Sequence, residues 1–75
     1  MMDYALLLQL LTQADERIAS GVRVIANQRA AVAKLTADGH VTEDAEGMLI
    51  CFEQAHAIDL ADREHIKKEL ARSAW

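Results

Sequence analysis

One short stretch, Leu35-Thr36-Ala37-Asp38-Gly39-His40-Val41-Thr42, interrupts a chain that has no proline and only three glycines in 75 residues. A sequence so poor in helix breakers favours long helices, and Asp38-Gly39 is a pair that ends one, because glycine adopts the left-handed conformation that lets the last carbonyls find partners. Thr42 then stands where a helix N-cap is needed, and Glu43 and Asp44 bring negative charge to the positive end of the next helix. The expectation is an all-α, two-helix antiparallel hairpin spanning about 3–37 and 43–73, a single domain with Asp38, Gly39 and Thr42 as its turn and cap residues. A link of about four residues holds the helices side by side, so residues whose numbers add to about 80 face one another, Leu35 with Ala45 and Leu11 with Leu70.

Apolar residues recur at helical spacing in both halves. Tyr4, Leu11, Ile18, Ile25 and Val32 are seven apart, and Leu7, Ala14, Gly21, Gln28 and Leu35 follow three behind, which makes an a/d seam. Gly21 weakens a helix interior, and its return is close approach of the neighbouring helix. In the second half Ala45, Leu49, Phe52, His56, Asp59, Arg63, Ile66 and Leu70 form the inward line. Outside these lines lie Leu8, Val22, Val24, Ala26, Ala30 and Ala31 in the first half and Met48, Cys51, Ala55 and Ile58 in the second. A hairpin covers one stripe per helix, so this second apolar set needs another neighbour.

That surplus predicts self-association. A chain of this length seldom buries enough apolar area to offset its ordering entropy unaided, and two hairpins packed as a homodimeric four-helix bundle would cover the surplus. The expected interface residues are Tyr4, Leu7, Leu8, Leu11, Met48, Cys51, Phe52, Ala55 and Ile58. Trp75 is expected to fold back on the Leu-rich start of the first helix.

Charge narrows the partners. A net charge of −4 with eight scattered Lys and Arg residues argues against nucleic acid. The apolar run Tyr4 to Leu11 is too short to span a bilayer and has neither the basic flank nor the cleavage site of a signal peptide, so no membrane role is expected. Cys51 is the only cysteine, which excludes an intramolecular disulfide and suits a reduced, cytoplasmic compartment. Flanked by Leu49, Ile50 and Phe52, it reads as a small buried hydrophobe.

Few residues suggest chemistry. Glu53-Gln54-Ala55-His56 has the Glu-x-x-His spacing of di-iron four-helix bundles, and Asp62-Arg63-Glu64-His65 echoes it. The residues expected opposite, Val24 to Asn27, include no carboxylate to bridge metals, so Glu53, His56 and His65 are metal candidates only in a second reading. The first reading makes His56, Asp59 and Arg63 a partly buried hydrogen-bonded set with Asn27 and Gln28, with an intrahelical Asp59-Arg63 pair, fixing register rather than binding a ligand. The charges Asp15, Glu16, Arg17, Arg23, Arg29, Lys34, Glu64, Lys67, Lys68 and Glu69 read as solvated. No nucleophile with a base, phosphate loop or zinc spacing is visible, so no catalytic residue and no cofactor is expected.

The pattern Arg17-Ile18-Ala19-x-Gly21, Ile25-x-x-Gln28-Arg29, Leu35-x-x-Asp38-Gly39-His40-x-Thr42-x-x-Ala45 and Leu49-x-x-Phe52-Glu53 resembles a group of short helical proteins of proteobacteria without assigned activity. The resemblance covers the central two-thirds of the chain and implies a bacterial cytoplasmic protein. From the residues, the expected function is a non-enzymatic, homo-oligomeric interaction module that also binds another protein, with a metal- or cofactor-binding bundle using Glu53 and His56 as the alternative.

Overall fold

The computed structural model describes residues 3–73 and shows two α-helices, α1 (Tyr4–Ala37) and α2 (Glu43–Ser73), with no strand among the described residues. Trp75 lies outside them. The helices pack along their length into a rod of 58 × 14 × 12 Å.

Three of the four helix termini have a local cause. Asp3 caps α1, its side chain accepting from the Ala5 N–H at 3.4 Å. At the other end Gly39 takes φ 74, its N–H donates to the Thr36 carbonyl at 3.1 Å, and the His40 N–H donates to the Leu35 carbonyl at 2.9 Å. These two bonds are the Schellman pattern, which consumes carbonyls that the helix end leaves without partners. Thr42 precedes α2 and its carbonyl accepts from the Glu46 N–H at 2.8 Å, while Glu43, Asp44 and Glu46 put negative charge in the first turn.

The inward lines are those the spacing predicts. Leu7, Ala14 and Ile25 are buried on α1 and Ile66 on α2; Leu11, Ile18, Gly21, Gln28, Val32 and Leu35 are half-buried, as are Ala45, Leu49, Phe52, His56, Asp59, Arg63 and Leu70. Leu10 joins them, packing with Leu11 and Leu70 around Leu7, Ala14 and Ile66. The densest part of the core therefore sits at the open end of the hairpin, far from the turn. Tyr4 departs from the seam at 49% exposure.

Two expectations about polar and small residues are corrected. His56, Asp59 and Arg63 do not bond with one another or with Asn27: Asp59 turns to Arg17, Arg63 to Asp15 and Glu64, and Gln28 donates to the Ala45 carbonyl at 2.8 Å. Carboxylates and guanidinia on the flank of α1 reach these groups across the seam, so the cross-helix pairs displace the intrahelical one. Cys51 is exposed rather than buried, since it lies one position off the inward line that Phe52 occupies.

Gly21 has the role its position suggests, with a side chain as its neighbour. A Cβ placed on it would lie 2.7 Å from His56 Nδ1, so the glycine makes room for the imidazole.

Candidate functional site

The hairpin has two broad sides, separated by the seam, and ion pairs label each one. On the first, Leu8, Asp15, Val22 and Arg29 are seven residues apart along α1, and Glu46, Glu53, Leu60 and Lys67 are seven apart along α2. Arg29 donates to Glu53 at 3.2 Å and Arg63 donates to Asp15, which ties these rows together as one surface. On the opposite side Arg17 bridges Asp62 at 3.0 Å and Asp59 at 3.5 Å. Leu10 and Val24 flank it on α1, with Met48, Cys51, Ala55 and Ile58 along α2.

The pairs are solvent-exposed, which limits each to about 0–1 kcal/mol. Their arrangement is more informative than their strength. Asp15 raises the pKa of Arg63, first through the hydrogen bond and then through charge attraction, with Glu64 adding to it. Asp15, Arg17 and Arg29 are exposed, as expected, and are paired as well; the spacing of a helical sequence does not show how far an arginine will reach across to its neighbour.

His56 lies between the two sides. It lines a groove of about 320 Å³ with Arg17, Ser20, Gly21, Val24 and Asp59 on one, and a groove of about 250 Å³ with Val22, Ile25, Ala26 and Arg29 on the other. Its Nδ1 is shut off from solvent and has no hydrogen-bond partner. A smaller hollow of about 180 Å³ near the chain ends is lined by Leu7, Leu10, Asp62, His65 and Ile66 among others.

The metal candidates are not gathered into a site. Glu53 is engaged by Arg29, His56 Nδ1 faces Gly21, and His65 lies more than two turns along α2 from His56. Among the described residues no group of three or more His, Cys, Asp or Glu side chains is placed to hold an ion.

The expected interface residues divide three ways. Leu7 is 1% exposed and belongs to the hairpin's own core, Leu11 is partly covered beside it, and Phe52 is partly covered farther along the seam. Tyr4 and Leu8 are exposed on the Val22 side, and Met48, Cys51, Ala55 and Ile58 on the Val24 side. One flat partner cannot touch both exposed sets. Among the described residues no helix is long and apolar enough to cross a membrane.

Comparison with protein families, curated proteins and solved structures finds no match to this chain. The functional reading therefore rests on the two exposed sides.

Proposed function

We propose that this chain is a non-enzymatic interaction module, a hairpin that pairs with a second copy as a four-helix bundle and offers its remaining apolar side to another protein. The observation that carries the reading is surface area. The chain exposes 5580 Å², whereas the scaling for compact monomers gives about 4,600 Å² for its 8.3 kDa. The surplus is of the size that one partner contributes to a standard protein interface, about 800 Å².

What is exposed supports the same reading. Tyr4, Leu6, Leu8, Val22, Val24, Met48, Ile50, Ile58 and Leu60 all lie open, while the buried hydrophobics among the described residues are Leu7, Ala14, Ile25 and Ile66. Each large apolar side chain removed from water contributes about 1.5–3 kcal/mol, and a second hairpin is the partner always present. The unpaired, exposed Cys51 suits a reducing compartment such as a bacterial cytoplasm.

Sedimentation equilibrium at micromolar concentration tests the proposal. The expected result is a species of twice the 8.3 kDa chain mass, with helicity that falls on dilution. A well-folded, concentration-independent monomer overturns it.

A further inference from the structure

We infer that the side carrying Val22 is the one that meets the second copy, and that the two hairpins lie antiparallel about a two-fold axis passing at the level of Val22. The inference rests on the dimer reading above and adds the face and the symmetry.

The charges on this side repeat with opposite sign about its midpoint. Asp15 and Arg29 lie seven residues either side of Val22, about 10 Å each way at ~1.5 Å per residue. Beside Asp15 stands Arg63 of α2, and beside Arg29 stands Glu53. A copy turned end over end about Val22 brings its Arg29 over Asp15 and its Glu53 over Arg63. Asp15 and Glu53 then each meet an arginine of the other copy, and the two ion pairs at each level become a four-membered alternating set. A parallel copy, turned about the long axis of the rod, would set α2 over α1 and pair Asp15 with Arg63 and Arg29 with Glu53, so the charge-reversed chains below, which keep those contacts and lose the antiparallel ones, separate the two orientations.

Apolar contact accompanies the match. Val22 is 55% exposed and Leu8 and Leu60 lie open on the same side, while Ala19, Ala26 and Ala57 between them let backbones approach. Val22 also lies near the middle of α1 (Tyr4–Ala37), so the rotation overlays the hairpins along their whole length. The surplus area is thus covered without overhang.

The Val24 side lacks this symmetry. The same rotation would carry the cluster of Arg17, Asp59 and Asp62 onto Asn27 and the uncharged stretch around Ala55, desolvating charge without a counter-charge. That side, with Met48 and Ile58, stays free for a different protein.

Two charge-reversed chains test the face. One carries Arg29→Asp with Glu53→Arg, the other Asp15→Arg with Arg63→Glu, so each keeps its internal ion pairs in inverted or original form but meets its own copy with like charges. Each alone is expected to dissociate at least about tenfold more readily than the natural chain at low salt, with the difference shrinking in 1 M NaCl. An equal mixture of the two regains every opposite-charge contact and is expected to form the mixed dimer, seen by native mass spectrometry, whether or not the separate chains stay helical. Val22→Glu is expected to give monomers, and Ile58→Glu to leave the dimer intact. If the natural chain is dimeric while both reversed chains self-associate as it does, if the mixture fails to pair, or if Ile58→Glu rather than Val22→Glu dissociates it, the face or its orientation is wrong and the dimer stands. A monomeric natural chain removes both.

Discussion

The imidazole of His56 occupies the space that a side chain at position 21 would fill, with His56 Nδ1 2.7 Å from where a Cβ on Gly21 would stand. Glycine and histidine are therefore one packing unit across the seam, and a substitution at either position acts through the other. Alanine is worth about 1 kcal/mol more than glycine in a helix interior, but here the added methyl must displace a ring.

Gly21→Ala is expected to destabilise the natural chain by about 1 kcal/mol or more, as overpacking does. In a His56→Ala background the same substitution is expected to stabilise, by up to about 1 kcal/mol. Urea melts of the four chains measure the cycle, and equal effects in both backgrounds would separate Gly21 from His56.

The other two glycines are expected to respond with opposite signs. Gly39 holds φ +74, so Gly39→Ala places a side chain in a strained left-handed conformation and costs about 1–2 kcal/mol. Gly47 lies within α2 with nothing within 4 Å of an added Cβ, and Gly47→Ala is expected to raise stability by about 0.5–1 kcal/mol. Thermal melts at one fixed chain concentration check both.

Leu7→Ala removes a side chain that is 1% exposed and packs beside Ala14 and Ile66. The expected loss is about 2–5 kcal/mol, enough to unfold a chain with so small a core. Ile58→Ala, at a residue 69% exposed, is expected to change stability by no more than about 0.5 kcal/mol. Denaturation at matched concentrations compares them; a large effect at Ile58 would show that side to be covered.

Cys51 is exposed on the Val24 side, which the proposed dimer leaves open. A maleimide is expected to label it in the native protein at a rate within a few-fold of the denatured chain. A cysteine introduced by Val22→Cys, with Cys51→Ala, is expected to label more than tenfold slower in the dimer than in the denatured chain. The ratio read by mass spectrometry reports which side is covered.

The turn and the inward lines were legible in the sequence because each follows from short-range rules. Asp38-Gly39 ends a helix by backbone conformation alone, and residues such as Leu7, Ala14, Phe52 and Ile66 face inward because the helical repeat leaves them little choice. The ion pairs were not legible. Whether Arg63 turns to Asp59 on its own helix or to Asp15 on the other depends on the offset between the helices, which periodicity leaves undefined. The exposure of Cys51 has a related reason: apolar neighbours in sequence point in different directions on a helix, and of that run only Leu49 and Phe52 turn toward α1. Periodicity likewise leaves open that Arg17 and Arg29 reach opposite flanks and so divide the exposed apolar residues between two sides.

His56 lies halfway along the rod with a groove on either hand, whereas the tightest packing is at the far end around Leu7, Ala14 and Ile66. Such a rod is clasped at one end and loosely filled at mid-length, so a neighbour lying along it adds the most contact where the hairpin itself has the least.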